Sequence, residues 1–321
     1  MVDKNIIHTA LRTIELEADA VRKLKDFVDA DFEKALDAIN TSEGRLVVSG
    51  IGKSALVAQK IVATFNSTGT PAVFMHAADA IHGDLGMVQK NDVIIVISKS
   101  GDSPEIKVLV PLIKNFGNKL IGMVGNMDSY LSRQSDIILN TTVDQEACPN
   151  NLAPTTSTTA QMVMGDVLAV CLMEMNEFGT ADFAKFHPGG ALGKRLFLRV
   201  AGLAAQNERP AVPALAGIRE VIVEMTKKRL GVTVVTNDDN IVAGIITDGD
   251  LRRMLEKESS VDQLRAKDIM SANPVMISPA MLAVDALDIM KTKAISQLIV
   301  AEDGVYRGIV HLHDIIKEGI I

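Results

Sequence analysis

The sequence predicts an α/β protein: a doubly wound parallel sheet of five strands, followed by an α+β tandem pair of repeats. Three observations predict it. Short unbroken aliphatic runs alternate with helix-length segments over residues 46–140, the pattern of parallel strands covered on both faces. The segment 220–251 aligns with 284–315 at an offset of 64 to 65 residues. Two copies are too few for a solenoid, which needs about three or more, and suit a fused pair packing face to face. Finally, a chain of 321 residues, 47% hydrophobic and 23% charged, is globular but too long for one ordinary core.

Ile7, Leu11, Ile14, Ala18, Val21, Leu24 and Val28 recur at steps of three and four, so residues 4–39 read as an amphipathic helix. The strands follow as LVVS (46–49), AVFM (72–75), VIIVI (93–97), KLIGMVG (119–125) and DIILN (136–140), with helices expected at 54–66 and 104–115. A long helix from about Thr158 to Phe178 closes this half. The expected domains are 1–200, a Pro-marked linker at 201–212, and 213–321, with repeats at about 213–258 and 268–321. Each repeat runs helix, strand, turn (NDDN or AEDG), strand, helix.

Net charge is −7, split −4 and −3 between residues 1–200 and 201–321. Neither half has the basic footprint of a phosphate-backbone binder, and aromatics are only 3%, so nucleic acid is excluded as a partner. Two cysteines make no disulfide framework and fit a reducing cytoplasm. The apolar run Val167–Met173 is cut by Asp166 and Glu174, short of the ~18 residues of a membrane span, and the N-terminus lacks a signal peptide's apolar block. A cytoplasmic protein with no membrane partner is expected.

Chemistry should sit beyond the carboxyl ends of the strands. There, Gly50-Ile-Gly52-Lys53-Ser54 opens a helix. It is not a P-loop, since Val47 stands where glycine is needed, and the dinucleotide fingerprint is met only loosely, with Ala55 in its last place. A cation on a first helical turn is unfavourable unless an anion joins it, which marks Lys53. After the third strand, Ser98, Ser100 and Ser103 stand around Gly101, with Ser103 the expected N-cap before Pro104. Thr155-Thr156-Ser157-Thr158-Thr159 opens the long helix. Two hydroxyl clusters beside helix N-termini suit a monophosphate ester. Glu105, Glu146, His187, His76 and His82 are the ionisable residues of the loops; His76 and His82 alone make a weak metal pair.

At GIGKS, SKSGDSPEI and FHPGGALGKRL the chain resembles the sugar isomerase (SIS) domain family. HAADAIHGDLGMV, EACPNNLAPTTSTTAQMVMGD and FHPGGALGKRL are similar to D-arabinose-5-phosphate isomerases, and GIITDGDLRR to a tandem CBS pair. The resemblance covers nearly the whole chain. It implies catalytic roles for Lys53, Glu105, Glu146 and His187, substrate contacts from Gly69, Thr70, His76 and His82, and an inhibitory rather than catalytic zinc at His76. It also implies a homotetramer, no cofactor, and a regulatory nucleotide or CMP-Kdo effector at Thr247, Asp250 and Asp314. The product would feed Kdo for lipopolysaccharide or capsule. Lys99 departs from the Asn common in the family, Asp102 from its frequent Glu, and His311 from the Ser/Thr of the second repeat.

The residues fit that chemistry independently. An aldose–ketose interconversion of ribulose 5-phosphate moves a proton between C1 and C2 through a cis-enediol, needing a base on carbon, a donor–acceptor pair for the oxygens and no redox cofactor. A carboxylate and an imidazole supply this, with Glu146 and His187 the leading pair, their individual roles open. Lys53 offsets enediolate charge; Glu105 orients Lys53 or is a second acid/base. The rival readings are a non-catalytic sugar-phosphate regulator and an isomerase of another sugar phosphate.

Overall fold

The computed structural model describes residues 6–257 and 261–320. The chain divides into two compact units between Phe186 and His187.

The first unit contains α1 (Ile6–Lys23), α2 (Ala30–Asn40), β1 (Leu46–Gly50), α3 (Lys53–Ser67), β2 (Ala72–His76), α4 (Ala77–Ala80) and β3 (Val93–Ser98). It continues with α5 (Pro104–Phe116), β4 (Lys119–Val124), α6 (Tyr130–Gln134), β5 (Ile137–Asn140), α7 (Thr156–Met175) and α8 (Thr180–Phe186). The five strands are parallel, in the order β2-β1-β3-β4-β5. Their continuous aliphatic character follows from having helices on both faces. Val48, Ile95 and Ile121 pack with Ile61 and Phe65 of α3 and Met164 and Leu168 of α7. Val47, Ile94 and Val96 face the other way, against Ile106, Leu109 and Ile113 of α5. Strand order reverses between β1 and β3, and ligands of such sheets bind beyond the carboxyl ends at that switch point, here after Gly50 and Ser98.

Local chemistry sets several boundaries. Ser103 accepts the Ile106 N–H and caps α5 ahead of Pro104, as the sequence predicts. The expected helix over 4–39 breaks in two, because the Asp29 carboxylate accepts the N–H groups of Asp31 and Phe32 and starts α2 afresh. α7 is long and apolar enough to cross a membrane by length and composition, nearer to a span than the sequence reading allows, yet half of that stretch is buried in the unit.

The second unit begins with α9 (Ala191–Phe197) and α10 (Val200–Ala204). The first repeat comprises β6 (Ala211–Pro213), α11 (Ile218–Lys228), β7 (Val232–Thr236), β8 (Val242–Thr247) and α12 (Asp248–Lys257), followed by α13 (Ala266–Ile269) and β9 (Ser271–Ala272). The second comprises β10 (Met276–Ile277), α14 (Ala283–Lys293), β11 (Gln297–Glu302), β12 (Val305–His311) and α15 (Leu312–Lys317). Their sheets, β6-β7-β8-β9 and β10-β11-β12, share a buried cluster of Val232, Val234, Ile299, Tyr306 and Ile309. The division between units falls earlier than the expected linker at 201–212. Val200, Leu203 and Ala204 are buried with Leu287, Val300 and Val310, so this stretch belongs to the core of the second unit.

Entry into the sheet is clamped at Gly44. A Cβ there would stand 2.3 Å from the Asn91 carbonyl and 2.5 Å from the Asp92 nitrogen. The Arg45 N–H donates to buried Asp92 at 2.8 Å, and Arg45 also pairs with it at 3.0 Å. Gly44→Ala is therefore expected to lower stability by about 1–3 kcal/mol through overpacking against backbone. The check is a lower urea midpoint at unchanged m-value; an unaltered midpoint would refute the clamp.

Candidate active site

At the carboxyl edge of the sheet, the loop between β5 and α7 carries Glu146, whose side chain is fully buried. Its carboxylate is held by the first turn of α7. Oε2 accepts the Thr155 N–H at 2.8 Å, the Ser157 N–H at 3.1 Å and the Thr155 hydroxyl at 3.3 Å. Oε1 accepts the Ser157 hydroxyl at 2.5 Å and pairs with Lys99 Nζ at 2.7 Å. The main chain is tied to the same place: Glu146 N–H donates to Asn151, and Ala147 N–H to the hydroxyls of Thr155 and Thr156. Burial alone would raise the pKa of this carboxyl. Lys99, the Ser157 hydroxyl and the two N–H groups outweigh burial and lower it to about 2.

This arrangement changes the reading of the second hydroxyl cluster. Thr155 and Ser157 ligate Glu146, Thr156 accepts from Ala147, and the Thr158 hydroxyl donates to the Thr155 carbonyl. The hydroxyls of Thr155 and Ser157 thus cradle the chain's own carboxylate at this helix N-terminus, while those of Thr156 and Thr158 bond main-chain groups.

The first cluster is more open. Ser98 is buried and accepts the Gly101 N–H at 3.0 Å; Ser100 is exposed and accepts the Asp102 N–H at 3.4 Å. Lys53, exposed at the start of α3, and Glu105, half-buried in the first turn of α5, flank the switch point from the ends of β1 and β3. His76 ends β2, with Nδ1 3.5 Å from Asp79, and His82 is exposed on the following turn. Among the described residues, no three His, Cys, Asp or Glu side chains gather to hold a metal. His76 and Asp79 supply two of the four ligands zinc takes, so an ion there would keep water ligands and exchange readily.

Gly69 and Thr70 lie elsewhere. They precede β2 and line a cavity of about 280 Å³ at the amino edge, with Leu46, Val93 and Phe178, opposite the edge that bears Glu146 and Ser98. His187 is half-buried at the start of the second unit. A Cβ on Gly193 would stand 2.2 Å from the His187 carbonyl, which explains the need for glycine in FHPGGALG. In the repeats, Asp250 accepts from the Thr247 N–H and hydroxyl and pairs with Arg253 at 2.5 Å. Asp314 accepts the His311 N–H and the Asn207 amide. Burial, then repulsion from the charge of neighbouring His313, pushes the His311 imidazole below its usual pKa.

Sequence reasoning gave Lys99 no task, and its role as partner of Glu146 emerges only here. A lysine directly after a fully buried strand was the available signal.

Comparison with known proteins agrees with this architecture. The SIS domain family matches residues 40–171, and the CBS domain family matches 207–257 and 266–320. Arabinose 5-phosphate isomerase KdsD of Yersinia pestis is 42% identical over 97% of this chain and 95% of its own length. The protein of that name from Francisella tularensis is 45% identical over 97% and 96%. The solved structure of E. coli CFT073 c3406 in complex with arabinose 5-phosphate superposes with TM-score 0.56 at 39% identity, covering 59% of this chain and all of its own. Identity of this order, sustained across both halves, means that the chain belongs to the arabinose 5-phosphate isomerase family of SIS–CBS proteins.

Proposed function

We propose that this protein interconverts D-ribulose 5-phosphate and D-arabinose 5-phosphate by proton transfer between C1 and C2 through a cis-enediol. The observation that carries the reading is the buried, ionised Glu146 at the carboxyl edge of a doubly wound sheet. Two further facts support it: the activity named for the full-length relatives, and the arabinose 5-phosphate bound to a relative that covers only 59% of this chain.

The sugar's phosphate lies against the Ser98–Ser103 loop at the N-terminus of α5, where Ser100 is exposed. Glu146 and His187 divide the proton transfers at C1, C2 and their oxygens. Lys53, at the start of α3 and without an ion-pair partner among the described residues, offsets negative charge on the enediolate. Glu105 orients it. His76 and His82 approach the sugar from the end of β2. Gly69 and Thr70, at the opposite edge, contact sugar only if a second copy of the chain supplies them, as a homotetramer would. The repeats take a nucleotide or CMP-Kdo at Thr247, Asp250 and Asp314, and the cytoplasmic product feeds Kdo synthesis for lipopolysaccharide or capsule.

Glu146→Gln and His187→Ala are each expected to cut turnover by about 10² or more, as for loss of a general acid/base. KM of His187→Ala should change little, since the phosphate contacts lie on the serine loop. Product analysis by NMR in deuterated water checks both; wild-type turnover in either variant removes that residue from the mechanism.

Side chains alone can move these protons, so dialysis against a chelator should leave turnover unchanged. A loss restored by adding a metal would overturn the scheme.

Calorimetry with adenine and cytidine nucleotides and CMP-Kdo should show binding that Asp250→Ala weakens by about ten-fold or more, the loss of a buried charged hydrogen-bond partner. Absence of heat with every ligand would leave the repeats an oligomerisation role.

A further inference from the structure

Five donors hold the Glu146 carboxylate, and four of them belong to Thr155 and Ser157 in the first turn of α7. That turn is also tied to the main chain of Glu146 and Ala147, so carboxylate and cradle move together. The fifth donor, Lys99 Nζ, comes from a different element, the loop after β3. Its side chain is 42% exposed, whereas the carboxylate it touches is 0% exposed. The lysine side chain thus joins a buried anion to a solvent-accessible loop. In the chain Lys99 stands between Ser98 and Ser100, on the loop that leads into the thirteen-residue helix α5. Nearby, Asp102 pairs with Lys107 at 3.3 Å, while Glu105 and Lys53 stand on the first turns of α5 and α3.

We propose that Lys99 is an exchangeable counter-ion, paired with Glu146 in the free protein and drawn to the phosphate of the bound sugar, which frees the carboxylate to act as a base. This rests on the isomerase reading above. The physical reason is competition between anions. A phosphate monoester carries about −1.5 to −2 charges near pH 7 and three acceptor oxygens, against one charge on a carboxylate already served by four other donors. The consequence is chemical. A carboxylate held at about pKa 2 has little tendency to take a proton from carbon. Once Lys99 leaves, the effect of burial is opposed only by the α7 donors, and basicity rises when the phosphate end of the substrate is in place. Phosphate binding at one end of the sugar then activates the base at the other.

The test uses the full chain labelled with ¹³C at the glutamate carboxyls, the Glu146 resonance being identified by its loss in Glu146→Gln. In wild type this carboxylate should remain ionised down to pH 4. Saturating inorganic phosphate, or Lys99→Met, should raise its midpoint by at least one pH unit. Calorimetry should show inorganic phosphate binding weakened by about ten-fold in Lys99→Met and in Lys99→Gln, with Lys99→Arg within about three-fold of wild type. A midpoint that neither phosphate nor the substitutions move, or phosphate binding unaltered in both neutral variants, overturns the proposal. Neither readout needs turnover. Failure of wild type to isomerise ribulose 5-phosphate would instead sink the isomerase reading and leave these results standing.

Discussion

The buried carboxylate of Glu146 is the constraint on which the candidate site depends. An ionised side chain removed from water is tolerated only when its lone pairs are served and its charge is answered. Here the first turn of α7 serves the lone pairs and Lys99 answers the charge. The demand fixes the neighbourhood in turn. Thr155 and Ser157 supply backbone and hydroxyl donors together, Thr156 holds Ala147, and Asn151 at φ 52 turns back to accept the Glu146 N–H. Within a run of hydroxylated residues that looks like surplus capping, two supply the coordination shell of one anion.

The sheet decides where that anion stands. Because β1 and β3 are adjacent and diverge in connection, the loops after Gly50 and Ser98 open side by side. The helices that follow, α3 and α5, both begin at this carboxyl edge. Lys53, Glu105 and the serine loop reach this edge from β1 and β3, while Glu146 arrives on the approach to α7. Each comes from a loop, and each loop leaves a fully buried strand or enters a buried helix. That suits a chemistry in which small displacements of a proton-transfer group are costly.

The second unit follows a different logic. Its two sheets bury a common apolar cluster, so neither repeat is complete alone. The corresponding aspartates have diverged in partner: Asp250 is closed by Thr247 and Arg253, Asp314 by His311 and Asn207. His311 uses its own imidazole to accept the His313 N–H, so the second turn caps α15 with a ring where the first uses a hydroxyl. The clefts of the pair are chemically unequal.

Much of this was legible in the residues. Unbroken strands such as VIIVI, the Ser103–Pro104 cap and the internal repeat are local signals, because burial on both faces, a first-turn N–H and a duplicated unit each write themselves into contiguous sequence. Contiguity says less where the deciding partner is distant. Residues 201–212 have the composition of a linker, yet Leu203 and Ala204 are buried in a cluster with Leu287, Val300 and Val310, far along the chain. Gly69 and Thr70 sit at the amino edge, a placement set by strand direction rather than by their own chemistry. The Thr155–Thr158 hydroxyls suggest a phosphate, and only the folded chain shows that Glu146 takes those of Thr155 and Ser157. Local residue patterns are enough to set the elements, the repeat and the ionisable loop residues. Tertiary structure alone decided which of them share an environment, because the pairing of Lys99 with Glu146 spans forty-seven residues and exists only where a parallel sheet brings two loop ends together.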